Sequence, residues 1–195
     1  MLIGKIARSS SHIDYICQVY QPGEVEQVPD PAEYAFGRFV RLAAAESPAV
    51  IGIIYDTVLM NPEFGTLGPR LSPAGDLAVF SPDYLNEKVT LVGIVAIGTW
   101  GPGGTIEHGV PPLAVRIDTP VESLSPDEVL AFHADGKGGA RLGYAPLLLA
   151  HGSPLARQLL LRTIEQLEAL CPAARPQLRV LRTGLAWRAG VEPLA

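Results

Sequence analysis

Cysteine is scarce in this chain of 195 residues, and its two cysteines, Cys17 and Cys171, lie far apart in the sequence. No C-x-x-C pair is present, which excludes a zinc ribbon, and two cysteines are too few for a disulfide scaffold. We therefore expect both thiols to stay reduced, as they do in the cytoplasm.

Long apolar runs are also missing, although the mean hydropathy is positive at +0.23. The longest strongly apolar stretch, residues 89–97, is about half of the ~20 residues that a helix needs to span a bilayer. Residues 1–8 carry charges where a signal peptide has its apolar region, and neither end has a lipidation motif. These features predict a cytoplasmic protein without membrane contact.

Charged residues make up only 18% of the chain, and they are unevenly placed. Residues 1–136 hold 7 Lys/Arg and 17 Asp/Glu, a net charge of −10, whereas residues 137–195 hold 8 Lys/Arg and 3 Asp/Glu, a net charge of +5. A basic part can meet nucleic acid, but these cations are dispersed rather than clustered as a nucleic-acid footprint requires. We therefore expect no direct contact with nucleic acid, and favour docking of the basic part on the acidic part or on a neighbouring subunit.

Motifs for catalysis or cofactor binding are lacking as well. The glycine-rich segments 101–104 and 136–139 have neither the Walker A spacing nor a G-x-G-x-x-G pattern. The pair Glu107–His108 could act as a base in a site, but an exposed loop pair is the better interpretation. No metal-ligand spacing links the four histidines, which are His12, His108, His133 and His151. The sequence thus predicts no enzyme activity, no catalytic residue, no metal and no cofactor.

Glycine and proline are abundant, at 20 and 18 residues, which indicates many turns and argues against a helical bundle. Most of the first 118 residues predict short strands with Pro and Gly between them, a pattern that favours a closed antiparallel barrel. Closure also removes the exposed edges of such apolar strands. The predicted strands are residues 2–7, 14–20, 24–28, 34–42, 50–60, 89–99 and 113–117.

The pattern changes to helices after Asp118. Ser125-Pro126, with Glu128 at the third helical position, is a capping box and predicts a short helix to about residue 134. Ser153-Pro154 repeats the serine and proline and predicts a longer amphipathic helix that ends near Leu170. A late strand is predicted at residues 178–185.

The predicted fold is therefore mainly β with α: a small antiparallel β-barrel followed by a short α-helical C-terminal part. We place the barrel domain at residues 1–118 and the helical region at residues 119–195.

Several barrel-forming motifs follow one another in the first third of the chain. Ile3-Gly4-Lys5-Ile6 is followed by Tyr15-Ile16-Cys17, then by residues 24–29, 34–40 and 50–54, which read EVEQVP, YAFGRFV and VIGII. In this order they resemble the HAS-barrel domain, the barrel named for HerA-type ATPases and rotary ATP synthases. The resemblance covers roughly residues 1–60 and extends to about residue 118.

The resemblance implies a small β-barrel that serves assembly and partner docking at the N-terminus of hexameric motor ATPases. Here the 77 residues that follow position 118 lack a P-loop and are too few for a motor domain. Motor activity is therefore not implied, and no catalytic residue of the family has a counterpart. We expect a non-catalytic assembly or adaptor protein that accompanies a HerA-type ATPase or nuclease in DNA processing.

Two long loops, residues 61–87 and 98–112, interrupt the predicted strands, and loops of this length are often functional. Apolar residues in or beside them are candidate contacts for a protein partner or a second copy of the chain. These candidates are Leu59, Phe64, Leu67 and Trp100. The alternative is a ligand-binding protein or enzyme that uses the two loops, which a deep pocket with convergent polar groups would support.

Overall fold

Along the described part of the chain, all strands precede the α-helices. The computed structural model describes residues 1–43, 48–61 and 88–191. Its strands are β1 (Leu2–Ser9), β2 (Asp14–Val19), β3 (Phe39–Leu42), β4 (Ala49–Met60), β5 (Val89–Trp100), β6 (Ile106–His108) and β7 (Pro120–Ser123). Its α-helices are α1 (Pro126–His133), α2 (Ala145–Ala150), α3 (Ala156–Leu170) and α4 (Arg175–Val191).

The strands form one antiparallel sheet in the order β2-β1-β7-β3-β4-β5-β6. Strand β2 pairs with β5 as well as with β1, so the pairings run in a ring through β1, β7, β3, β4, β5 and β2. Strand β6 lies outside this ring and pairs with the end of β5. The fold is therefore mixed α/β, with a seven-stranded antiparallel sheet and four helices in the described part of the chain.

The two longest strands, β4 and β5, confirm the strands predicted at residues 50–60 and 89–99. They are apolar almost without interruption because their central parts are buried on both faces. Ile53 of β4 and Val95 of β5 pack with the helices, whereas their neighbours Ile54 and Ile94 pack with β1 and β2 on the other side of the sheet. The sheet thus separates two apolar clusters.

Glycine allows one close approach between strands of the ring. Gly4 of β1 pairs with Val19 of β2, and a Cβ at position 4 would overlap the backbone carbonyl of Gln18. The I-G-x-I motif at the start of the chain therefore has a steric reason here.

Two predicted strands in the first 118 residues are wrong. Residues 24–28 have turns and an isolated bridge instead, since Gly23 at φ +93° reverses the chain there. Residues 113–117 have no strand partner, and the strand that completes the ring is β7, which lies beyond position 118. The predicted strand at residues 34–42 is shorter than expected, because Gly37 at φ +82° makes a turn before β3.

The helical part agrees with the sequence at its beginning and differs towards its end. The capping box of α1 is present, with Ser125 and Glu128 in the predicted roles. Helix α3 begins at Ala156, and α2 was not predicted. The strand predicted at residues 178–185 is wrong, because these residues belong to α4 and Leu178 is buried against the other helices. No helix within the described residues combines the length and apolarity that crossing a bilayer requires.

Candidate functional site

Strands β4 and β5 continue together beyond the pairing between β3 and β4. That pairing ends at Ile53, and from residue 55 onwards β4 pairs with β5 and with no other strand of the described chain. We call residues 55–60 of β4 and 89–93 of β5 the arm. Three consecutive apolar side chains of the arm are largely in solvent: Val58 is 47% exposed, Leu59 77% and Met60 52%. Val58 and Met60 lie on one face of the strand and Leu59 on the other.

A cleft with a volume of about 470 Å³ lies on one face of the arm. Its apolar lining includes Val58 and Met60, which alternate along β4 and so share a face, together with Leu91 of β5 and Ile16 of β2. This apolar area lies on the outer side of the ring, because Ile16 alternates along β2 with Tyr15 and Cys17, which pack on the inner side.

The charged groups of the cleft stand on opposite rims. Arg8 pairs with Ile16, Ile16 with Gly93, and Gly93 with Asp56, so these four residues form one row across β1, β2, β5 and β4. Adjacent strands lie ~4.8 Å apart, so Arg8 and Asp56 are separated by about three such spacings. The charges therefore do not converge on one point, and no ion pair joins them.

A polar cluster adjoins the cleft at Tyr55. The Tyr55 hydroxyl donates a hydrogen bond to Oδ1 of Asp14 at 2.8 Å, and Nε2 of His151 lies 3.7 Å from Oδ2 of the same carboxylate. Burial, and then the hydrogen bond to Asp14, raise the pKa of Tyr55, so the phenol keeps its proton. The cluster fastens β2 and β4 to the end of α2, and its tyrosine acts as a hydrogen-bond donor rather than a base.

His108 and His133 form a second cluster, between β6 and α1. The His108 ring lies 5.8 Å from the His133 ring, measured between centroids, although the two residues are 25 positions apart in sequence. His133 is 1% exposed, and Nε2 of His108 bonds to the carbonyl of Phe132 at 2.9 Å. The His133 imidazole is buried with both ring nitrogens hydrogen-bonded, whereas His108 is half-buried, and together they tie β6 to α1.

Cys17 of β2 is fully buried in the apolar cluster of the sheet. Burial raises the pKa of the Cys17 thiol to about 12, so this cysteine is not a nucleophile. Among residues 1–43, 48–61 and 88–191, no group of three or more His, Cys, Asp or Glu side chains could hold a metal ion.

The predicted contact residues have different surroundings. Leu59 is the most exposed apolar residue of the arm. Trp100, at the end of β5, is half-buried, and the guanidinium of Arg41 lies 5.1 Å from its ring centroid. Phe64 and Leu67 lie outside the described residues.

The two predicted loops are described to different extents. Of the loop at 61–87, only residue 61 is described, whereas the loop at 98–112 contains the end of β5 and all of β6. Glu107 is exposed and His108 half-buried, both in β6, so the interpretation as an exposed loop pair is wrong for His108.

Comparison with known protein families gives one match, to a sequence family described as a domain of unknown function, DUF8166, over residues 1–193. The chain belongs to this family. The DUF8166 match spans the sheet and the helices alike, so the arm, the cleft and both histidine-containing clusters all lie within the family's unit. None of the curated proteins compared with the chain matches it.

Sequence reasoning found only part of this site. The apolar, β-branched pattern at residues 50–60 predicts the β4 half of the arm, and Leu59 in it is one of the predicted contact residues. Val58 and Met60 were missed, although their alternation with Leu59 in a strand is visible in the sequence. Arg8 was not detectable, because its place on the cleft rim follows from pairing between strands that are distant in the chain.

Proposed function

We propose that the protein is a non-catalytic assembly or adaptor module that binds another protein, or a second copy of itself, through the arm. The observation that carries this proposal is the exposure of Val58, Leu59 and Met60 in succession on a part of β4 that, among the described strands, pairs with β5 alone. Such a surface provides apolar area together with a strand edge that no described strand pairs, which is the chemistry of a protein contact.

We further propose that the ring of six strand pairings is a small closed barrel of the HAS type. Each of its strands has at least two strand neighbours, and the apolar cluster of β1, β2 and the inner faces of β4 and β5 would fill its interior. The motif order over residues 1–60 supports the same proposal. On this basis the partner would be a separately encoded HerA-type ATPase or nuclease that acts in DNA processing.

A second candidate function is ligand binding in the cleft, whose volume lies within the ordinary range for small-molecule sites. Arg8 and Asp56 stand on opposite rims, however, and the row between them consists of Ile16 and Gly93. This spacing fits an extended chain segment better than a compact molecule, so it also favours a protein contact.

Sedimentation of the purified chain, together with affinity capture from the native host, tests association through the arm. Leu59→Lys places a charge on the arm, and Ile117→Lys is the matched control because Ile117 is 67% exposed outside the arm. We expect Leu59→Lys alone to lower self-association or the recovery of a HerA-type ATPase or nuclease identified by mass spectrometry. A wild-type chain that sediments as a monomer and binds neither protein would overturn the proposal.

The same sedimentation experiment at low and high salt distinguishes a contact through the arm from an electrostatic contact between the acidic and basic parts of the chain. A contact between the acidic and basic parts of the chain would weaken as salt screens it. A contact made by Val58, Leu59 and Met60 would persist, because apolar association does not depend on screening. We expect persistence.

A further inference from the structure

We propose that two copies of the chain pair antiparallel through the edge of β4 that no described strand occupies, so that β4 lies beside β4 of the second copy and the two sheets become continuous. This inference rests on the proposed function and names its contact: backbone hydrogen bonds between arms, with apolar side chains on both faces.

The hydrogen bonds of Ile54 show which way the backbone N–H and C=O groups of β4 point just before the arm. Its N–H donates to the carbonyl of Arg38, and its carbonyl accepts from the N–H of Gly37. Both groups of Ile54 therefore point away from β5 towards the β3 side. In a regular strand the residues two and four positions later would point the same way.

A β-bulge changes this alternation at the base of the arm. Ile54 pairs with Ile94 and Asp56 with Gly93, so Tyr55 is an extra residue on β4. The shift by one position directs Asp56, Val58 and Met60 towards β5. The N–H and C=O groups of Thr57 and Leu59 consequently point outwards, where no strand of the described chain pairs with them. The Thr57 N–H donates to Oδ1 of its exposed neighbour Asp56 at 2.9 Å, a local bond that strand pairing would replace.

An outward-facing edge of this kind binds an extended backbone by adding a strand. Two-fold pairing centred on Val58 satisfies the edge of both copies at once. Thr57 of each copy would exchange two hydrogen bonds with Leu59 of the other, and the two Val58 residues would face each other as a close pair without hydrogen bonds between them. Facing β-branched side chains are favourable in sheets.

The charges and apolar groups of the arm are compatible with this register. Asp56 would lie opposite Met60 and not opposite the other Asp56, so like charges do not face each other. Val58 and Met60 would extend the apolar face of the cleft across the two-fold axis, whereas Leu59 at 77% exposure would be covered on the opposite face. The strand is thus complementary to itself, which is why we choose a second copy over another partner.

Cysteine cross-linking tests the register. Facing residues that lack mutual hydrogen bonds have Cα atoms ~4.5 Å apart, which a disulfide can bridge, whereas the two Leu59 residues would be ~8 Å apart, beyond the limit of about 7 Å. In a Cys171→Ser background, we expect Val58→Cys to form a covalent dimer under mild oxidation and Leu59→Cys to form one at least about tenfold more slowly.

Proline substitution tests the backbone contribution separately. Leu59→Pro removes an outward N–H and keeps the hydrogen bonds between β4 and β5, whereas Leu59→Ala shortens the same side chain and keeps the N–H. We expect the dimer of the proline variant to dissociate at a concentration at least about tenfold higher than that of the alanine variant. Circular dichroism compares the folding of the two.

The outcomes separate this inference from the proposed function. Wild-type dimers that persist in Leu59→Pro, or that cross-link through Leu59→Cys and not through Val58→Cys, would overturn the pairing and leave association intact. A chain that sediments as a monomer and captures a different protein would likewise overturn the pairing and leave association intact. A monomer that captures nothing would overturn both.

Discussion

Nε2 of His133 accepts a hydrogen bond from the hydroxyl of Tyr144 at 2.6 Å, and both side chains are almost fully buried. Nδ1 of His133 must then carry the ring proton, since it donates to the carbonyl of Val129 at 2.7 Å. Both ring nitrogens of the neutral imidazole are thus hydrogen-bonded. Burial lowers the pKa of His133 to about 4, although the bond to Val129 acts in the opposite direction.

This buried pair predicts a loss of stability in mild acid. The unfolded chain protonates His133 near its ordinary pKa of 6.5, whereas the folded chain protonates it near 4. The unfolded state therefore binds more protons between these pH values, and the free energy of unfolding falls as the pH falls. We expect a loss of about 1 kcal/mol from this residue by pH 5.5 and about 3 kcal/mol by pH 4.

Urea unfolding at pH 7.5 and 5.5 measures the effect. His133→Leu with Tyr144→Phe replaces both hydrogen-bonding partners by apolar groups, and should lose the His133 share of the pH dependence. Tyr144→Phe alone is the control, because it retains the buried histidine and should remain acid-sensitive. His108, whose pKa burial also lowers, stays in every variant. Equal pH dependence in wild type and double variant would contradict the assignment.

Close packing of β1 on β2 predicts that Gly4 does not tolerate a side chain. A Cβ at Gly4 would overlap the carbonyl of Gln18 and lie 2.7 Å from Sγ of Cys17. Gly4→Ala should lower the free energy of unfolding by about 3 kcal/mol, because backbone must move to admit the methyl group. Gly152→Ala is the matched control, since a Cβ added there would have no atom within 4 Å, and should change stability by less than ~0.5 kcal/mol. Chemical denaturation of both variants would decide this, and equal stabilities would contradict it.

The central strands could be predicted from sequence because β4 and β5 are apolar on both faces and rich in β-branched residues. Strand β7 could not, since residues 120–123 read Pro-Val-Glu-Ser and only Val121 and Ser123 are buried. Its place in the sheet depends on partners in β1 and β3, which are distant in sequence.

Helix α4 shows how local pattern misleads. Residues 178–185 contain closely spaced apolar residues that resemble a strand, yet Leu178 is buried while Val180 is 73% exposed. Tertiary packing on α3 selects the helix. The histidine pair His108 and His133 was equally beyond sequence reasoning, because β6 and α1 bring the two rings together only in the folded chain.

The hydrogen bond between Tyr55 and Asp14 predicts that Tyr55 ionises only at a pH above the ordinary pKa of tyrosine. Burial, the hydrogen bond to Asp14 and the charge of Asp56 all raise the pKa of Tyr55. The difference in absorbance at the tyrosinate band between wild type and Tyr55→Phe should therefore develop only above pH ~10, the ordinary value for tyrosine. A difference that is complete by pH 10 would contradict the hydrogen bond. Circular dichroism at each pH checks that the chain remains folded.

Two serines with the same sequence signal should differ in their effect on stability. Ser125 caps α1: its Oγ accepts from the N–H of Glu128 at 3.3 Å, and the Glu128 carboxylate accepts from the N–H of Ser125 at 2.8 Å. The same carboxylate lies 2.9 Å from Arg41 of β3, so the cap also fastens α1 to the sheet. Ser153 precedes α3 but is not its cap, since that helix begins at Ala156 with Leu155 at the N-cap, and Ser153 Oγ accepts from the N–H of Leu155 at 3.2 Å.

We therefore expect Ser125→Ala to lower the free energy of unfolding by about 1 kcal/mol, and Ser153→Ala to lower it by less than half of that. Both serines precede a proline, so proline's own contribution is common to the two variants and cancels in the comparison. Urea denaturation at pH 7.5 measures both, because Glu128, whose pKa is held low mainly by the hydrogen bond from Ser125, is then ionised. An equal loss in the two variants would mean that the serine–proline signal alone sets helix stability. A larger loss for Ser125→Ala means that the reciprocal bond with Glu128 does.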